Sequence, residues 1–455
     1  MPGGFRRRLD TRRLDTHRLD TRRLDKGQRM LDLETIRTRT DEVRQNTLNR
    51  RMTADIDLVL RLADERSALI QEIDALRSRR KTLSDAIRGA SDADRPAMVD
   101  EAAGLKDTIS EREQALADAE RRLRDEQARI PNLTHPDAPV GADETANREL
   151  SRWGDIPRFD FPPKDHVALG EALDLLDFDS ATKVTGTGFY FLKNEAVLLD
   201  LALQRFALDV LESEGFTLYT TPDMARLKVL EGTGFNPRGQ ESQIYRIDGQ
   251  DLGLIATAEI TLGGLWMDEI LEADRLPLKV GGLSHCFRVE AGAYGRASRG
   301  LYRVHQFTKV EMFAFTAPEE SDAMHAEMLR IEERIYQQLG IPYRVIDIAT
   351  GDLGGPAYRK FDLEAWMPGR GDGGGWGEIT STSNCTDYQA RRLAIRFRRA
   401  RGKKPELVHT LNGTAIAASR TPIAILENYQ QADGSVVIPQ ALRPLTGFDR
   451  ISPHR

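Results

Sequence analysis

Long apolar runs are missing from this sequence. No stretch of about 18 apolar residues occurs, so no membrane-spanning helix is expected. Cysteine is scarce: Cys286 and Cys385 stand far apart without a CxxC partner. Neither a disulfide framework nor a zinc site is expected from them, which suits a reducing compartment such as the cytoplasm. The N-terminus is basic but lacks the apolar core of a secretory signal. No GxGxxG opens a helix after a strand-like run, and there is no P-loop, so a doubly wound nucleotide fold is not expected. An excess of basic charge is absent too. The formal charge is −6, which excludes a protein that coats nucleic acid nonspecifically and leaves any RNA contact to a local patch. What remains is an ordinary soluble composition, 30% charged and 40% hydrophobic, and 455 residues are long for a single domain.

Three segments follow one another. Residues 1–29 repeat a five-residue unit on Arg-Leu-Asp-Thr, with nine arginines and one lysine against four aspartates, a net +6 that leaves −12 for the rest. A step of five turns a helix by roughly 140°, so Leu9, Leu14, Leu19 and Leu24 form no stripe, nor do they alternate as in a strand. The segment reads as a disordered tail, or as translated sequence upstream of a start at Met30, with a basic RNA-binding arm as the sharper alternative. From Met30 the pattern is helical. Leu62, Leu69, Leu76 and Leu83 recur every seven residues, with Val59, Ile73 and Ile87 beside them and Arg66 and Arg80 as interruptions. Ala102, Ile109, Leu116, Leu123 and Ile130 repeat the period, accompanied by Leu105 and Ala119. Heptads separated by a turn at Gly89–Pro96 predict an antiparallel coiled-coil hairpin. Residues 131–147, polar and proline-rich, read as a hinge. Beyond them, strand-like runs such as GFYFL (188–192) and GLSHCFRV (282–289) interleave with helices such as 197–215, which favours a mixed body around an antiparallel sheet.

The most informative stretch is CFRVEAGAYGRASRGLYRVHQFTKVE at 286–311. It places Arg288 and Glu290 two residues apart on one strand face, makes a turn, and returns with Phe307 and Glu311. Such a hairpin suits a nucleotide, with a guanidinium for phosphate and a carboxylate and ring for the base. A second arginine, Arg420 in ASRT, could meet phosphate with its planar fork. Glu378 and Ser381, three residues apart in GEITSTSN, could share one hard cation.

Together with NGTAIAASRTPIAILENYQ at 412–430, these residues resemble motifs 2 and 3 of class II aminoacyl-tRNA synthetases, and the surrounding text narrows the resemblance to the seryl-tRNA synthetase family of bacterial type. The resemblance runs from about Met30 to Gly447. It implies an α+β chain: a basic tail at 1–29, a tRNA-binding domain with a coiled-coil arm at 30–135, and a catalytic domain on an antiparallel sheet at 136–455. It also implies that serine is activated with ATP and Mg2+ and transferred to tRNA(Ser), and to tRNA(Sec). By resemblance Arg288 bridges the substrate carboxylate and the α-phosphate, and Arg420 meets the γ-phosphate. Glu290 reads the adenine amino group, Phe307 stacks on the base, and Val289 and Val304 adjoin the nucleotide. Glu378, Ile379, Thr380 and Ser381 match the ATP-binding EISS-type segment, with Glu378 and Ser381 on the metal. Thr257, Ala258 and Glu259 in ATAEI hold the α-ammonium, while Glu311 and Thr414 contact the serine hydroxyl. Pro222 in LYTTPDM marks a motif 1-like segment, implying a homodimer. The arm would grip the RNA backbone through Arg77, Arg79, Arg80, Lys81, Arg88, Arg121, Arg122 and Arg124. Two departures stand out, Tyr294 and Ala297 in the motif 2 loop and Pro356 in GDLGGPAYRK. Alternatives are a specialised paralogue with the same chemistry, or a non-catalytic RNA-binding protein on this scaffold. A carrier-protein ligase would lack the arm.

Overall fold

The computed structural model describes residues 30–235, 244–290 and 300–453. The repetitive tail at 1–29 and the motif 2 turn at 291–299, which holds Tyr294 and Ala297, lie outside the described residues.

The arm begins with two short helices, α1 (Leu33–Thr38) and α2 (Thr40–Asn49), followed by the long pair α3 (Ile56–Ile87) and α4 (Arg95–Gln127). Asp55 caps α3 by accepting the Leu58 N–H at 2.8 Å, and Pro96 occupies the first turn of α4, where its missing N–H leaves no gap. Val59, Leu62 and Ile73 of α3 are buried, as are Leu105, Ile109, Ala119 and Leu123 of α4. Nearer the tip Leu76, Leu83 and Ile87 are only half-covered, because two helices with no third can bury only one seam. Arg66, which interrupts the heptad, reaches Glu120 across the pair at 3.1 Å. Arg112–Glu72, Arg77–Glu113 and Arg79–Glu101 add cross-helix ion pairs at 2.9, 2.7 and 2.6 Å. Ile130 corrects the heptad reading: it lies past the end of α4 and packs at the arm's base with Leu31 and Ile36.

The segment read as a hinge is stitched down instead. Buried Asn132 donates to the carbonyls of Pro356 and Cys385 at 2.9 and 2.8 Å, and its own N–H bonds the Gly355 carbonyl. Arg50, also buried, donates to the Asn132 carbonyl at 3.0 Å and to the Gly354 carbonyl. Proline at 356 keeps the acceptor that this junction uses, which explains why the departure is tolerated. The polar composition at 131–134 serves a buried hydrogen-bond seam rather than solvent.

The body is built on one eight-stranded sheet. In chain order its strands are β1 (Arg148–Trp153), β2 (Thr217–Thr220), β3 (Leu278–Phe287), β4 (Gln306–Thr316), β5 (Tyr343–Asp347), β6 (Arg359–Met367), β7 (Gly375–Asn384) and β8 (His409–Ala417). Their spatial order is β1-β5-β6-β7-β8-β4-β3-β2, antiparallel throughout except for the parallel pairing of β2 with β3. Helices α5 (Glu195–Ser213) and α7 (Ser321–Leu339) pack their apolar residues, among them Leu203, Leu211, Met328 and Ile335, against one face. The short α6 (Ala258–Gly263) and α8 (Arg420–Asn428) carry site residues. The helix expected over 197–215 is present. GFYFL is not a five-residue strand: only Phe191–Leu192 pair, because Gly188 turns the chain at φ +81° so that His305 can bond its carbonyl. Among the described residues no helix is long and apolar enough to cross a membrane.

Candidate active site

Strands β3 and β4 form the hairpin expected at 286–311, with Cys286 opposite Phe307 and Gly282 opposite Glu311. Period-two alternation along β4 turns Phe307, Lys309 and Glu311 to the same face. Arg288 and Glu290 fall just past the end of β3 rather than within it. Arg288 is held there by His305, whose carbonyl accepts the Arg288 N–H and whose ring Nδ1 bonds the Arg288 carbonyl, each under 3 Å. Its guanidinium lies over the Phe307 ring, 5.2 Å from the centroid. Glu290 leaves the strand in a left-handed conformation (φ +50°), a strained choice for a residue with a side chain, and accepts from Arg303 at 3.2 Å.

On the opposite wall, β7 carries Glu378 and Ser381. Three residues apart in a regular strand, they would face opposite sides. The pairing shows Glu378 opposite Glu364, Thr380 opposite Leu363 and Ser381 opposite Asp362, which leaves Ile379 as an extra residue. That bulge puts Glu378 and Ser381 on one face and turns Thr380 to the other, where its hydroxyl donates to Glu332 at 3.1 Å. Arg420, at the start of α8, reaches the Glu378 carboxylate at 3.1 Å and the Glu378 and Tyr302 carbonyls at 3.2 and 3.4 Å. Burial alone would raise the Glu378 carboxyl, but Arg420, Lys360 and Arg288 outweigh it and hold it below the ordinary carboxylate range.

A buried polar cluster lies behind this cleft. Thr257 caps α6, its hydroxyl oxygen accepting the Glu259 N–H at 3.2 Å, and it also bonds Glu311. Gly282 lets α6 lie this close, since a Cβ there would stand 2.9 Å from Leu262 Cδ1 and 3.1 Å from Ala258 Cβ. Glu259 accepts from Gln389 at 2.7 Å and from Asn412 at 2.9 Å. Burial, then the neighbouring Glu311, pushes the Glu259 carboxyl up to about 7. Burial also raises Glu311, against the pull of Lys309, Arg288 and Thr257. A second bulge, at Ala415, sets Thr414 opposite Glu311 across β4 and β8.

Arg288, Glu290, Val304, Phe307, Glu378, Ile379, Thr380, Ser381, Thr414 and Arg420 line one cleft, Thr380 with its hydroxyl turned away to Glu332. Thr257, Ala258, Glu259 and Glu311 are buried behind it, and half-buried Val289 sits outside its lining. Five lining residues are not singled out from sequence: Tyr302, Arg303, Lys309, Ala417 and Ser419. Lys309 was legible, since it shares the strand face of Phe307 and Glu311. Tyr302, whose ring carries the Arg420 guanidinium at 4.7 Å, had no such signal.

The chain matches the model of the seryl-tRNA synthetase N-terminal domain over residues 30–134 and that of the tRNA synthetase class II core domain (G, H, P, S and T) over 244–429. The serine--tRNA ligase of Rubrobacter xylanophilus is 59% identical over 427 residues, covering 94% of this chain and all of that protein. The chain belongs to the seryl-tRNA synthetase family. The serine--tRNA ligase of Treponema denticola is 55% identical across 93% of the chain and all of that protein. A crystal structure of seryl-tRNA synthetase from Pyrococcus horikoshii complexed with ATP superposes with a TM-score of 0.86 at 41% identity, covering 94% of this chain and all of that one. An arm domain thus precedes a class II core, and the cleft lies within the core match.

Proposed function

We propose that this cleft joins L-serine to ATP and passes the product to tRNA(Ser). In the first step a serine carboxylate oxygen attacks the α-phosphorus, the bond to the β-phosphate oxygen breaks, and pyrophosphate leaves with seryl-adenylate remaining. In the second, the terminal ribose hydroxyl of the tRNA attacks the seryl carbonyl and AMP leaves. The supporting observation is a buried polar cluster, Thr257, Glu259, Glu311 and Thr414, behind a cleft lined by two guanidiniums, Arg288 and Arg420. An amine fits Glu259, a hydroxyl fits Glu311 with Thr414, and the carboxylate and α-phosphate fall to Arg288. Phe307 and Glu290 suit the adenine, and Arg420 the terminal phosphate. The site works by positioning and by offsetting charge on phosphate oxygens, so no side chain is needed as a general base.

Glu378 and Ser381, brought to one face by the Ile379 bulge, are the residues that would hold Mg2+. The ion would supply further charge neutralisation on the phosphates. The arm domain (30–135) is assigned to the RNA and the body (136–455) to the chemistry. Exposed Val197, Leu198 and Leu201 on α5, with Leu218 on β2 and Met224, form an apolar surface suited to a second copy of the chain. Buried free thiols at Cys286 and Cys385 fit a cytoplasmic setting. The test is pyrophosphate exchange at saturating ATP with serine, alanine or threonine. A site built to bond a hydroxyl rejects the analogue lacking it by roughly 10⁴–10⁵. Alanine should therefore be nearly inert, and exchange with alanine equal to that with serine would overturn the assignment.

A further inference from the structure

Lys309 is a lysine where a carboxylate pocket would be expected to exclude bulk and charge. Its side chain is 7% exposed and that of Glu311 2%. The ammonium pairs with the Glu311 carboxylate from two residues away on the same strand face, and stands 3.4 Å from the Thr414 hydroxyl. A buried ammonium is retained only where it is paired, and here its partners are the two groups assigned to the substrate hydroxyl. Glu311 is surrounded on every side. Lys309 comes from β4, Arg288 and Cys286 from β3 and its end, Thr257 and Glu259 from α6 and its cap, Glu332 from α7, and Thr414 from β8.

We propose that Lys309 is a specificity-determining positioning residue, whose ammonium clamps the Glu311 carboxylate beside Thr414 so that the pair receives a substrate hydroxyl. This rests on the assignment of Glu311 and Thr414 to the serine hydroxyl. An ionised carboxylate accepts a hydroxyl proton and can reject a side chain that has none. A protonated carboxyl offers a donor of its own and rotates to other partners. Burial and the nearby Glu259 both favour the protonated form of Glu311, and Lys309 is the first of the groups that oppose it. The charge of Glu311 raises the Glu259 carboxyl in turn, and Lys309 opposes the rise at both. Removing the ammonium therefore moves the acidic limb of serine activation to higher pH.

The experiment compares Lys309→Met and Lys309→Arg with Glu311→Gln and Thr414→Ala, by pyrophosphate exchange titrated in serine, alanine and ATP from pH 6 to 9. For Lys309→Met, kcat/KM for serine should fall roughly 100-fold, with selectivity over alanine falling alongside and the KM for ATP nearly unchanged. The acidic limb should rise by about one pH unit, and Lys309→Arg should restore most of both losses. Should Lys309→Met fail to fold, the same readouts on Lys309→Gln decide. Unchanged selectivity and an unmoved acidic limb would overturn the proposal, as would equal losses for serine and ATP with the pH profile intact. The controls separate the two levels. If Glu311→Gln and Thr414→Ala keep full selectivity, the hydroxyl pocket itself is misassigned; if they lose it and Lys309→Met does not, only the role of Lys309 falls.

Discussion

At the residue scale, the site is defined by how buried charges are matched. Arg420 reaches a carboxylate and two carbonyls from two separate nitrogens of its planar fork, a span that the single nitrogen of a lysine does not reproduce. Arg420→Lys is expected to lower kcat for pyrophosphate exchange by roughly 100-fold with little change in the KM for serine. Steady-state titration of both substrates checks it. Glu259 carries a pH dependence. With its carboxyl pushed up to about 7, it gains a proton as pH falls below that value and loses the charge that would pair with an ammonium. The kcat/KM for serine should decline below about pH 7 while the KM for ATP stays flat. A profile for serine that is level from pH 6 to 8 would contradict that role. Most residues named from motifs line one cleft, with Thr257, Ala258, Glu259 and Glu311 buried behind it and Val289 outside; Gln389, Asn412 and Tyr302 could not be named, because their partners are distant in sequence and their spacing carries no period.

At the scale of elements, two strands that a period-two reading treats as regular are not. The extra residues at Ile379 and Ala415 decide which side chains enter the cleft, and each bulge is set by register with a partner strand. A single chain carries no mark of that register, so the face shared by Glu378 and Ser381 was readable only as a motif. Heptads were more legible: Val59, Leu62, Ile73, Leu105, Ile109, Ala119 and Leu123 are buried as the period requires, while Leu69 and Leu116 are half-buried. The hinge at 131–147 misled because polar residues and prolines look alike in a linker and in a hydrogen-bonded seam. Gly282 links element packing to the site. Gly282→Ala places a methyl within 3.1 Å of Leu262 and Ala258, and is expected to destabilise the body by about 1–3 kcal/mol. Because α6 carries Thr257 and Glu259, the KM for serine should rise as well. Thermal melting with a serine titration checks both, and a variant with parental stability and KM would show that α6 yields freely.

At the scale of the whole molecule, the proposed function gives arm and body separate tasks. The apolar surface on α5 and β2 belongs to the body, so Leu201→Glu is expected to convert a dimer into a monomer at micromolar concentration without unfolding it. Sedimentation velocity with circular dichroism reads both properties. On the arm, Arg77, Arg79, Arg88, Arg121 and Arg122 are engaged in ion pairs, while Arg80 and Lys81 stand exposed. Those two are the first candidates for phosphate contact. The base of the arm is part of the fold, since Val59, Leu62, Ala63 and Leu123 pack against α1 and Ile130. A clean cut therefore leaves the base in place and removes residues 69–116, beyond the Arg66–Glu120 pair.

That cut, closed with a short glycine-serine linker, is the most direct measurement. Pyrophosphate exchange and aminoacylation of tRNA(Ser) are assayed on the same preparation. Serine-dependent exchange should stay within about threefold of the full chain, because every group assigned to adenylate chemistry lies from Thr257 onward. Charging of tRNA should collapse, and in the full chain it should weaken steeply with salt while exchange does not. Loss of both activities in a folded chain, or survival of both, would contradict the division of labour between arm and body.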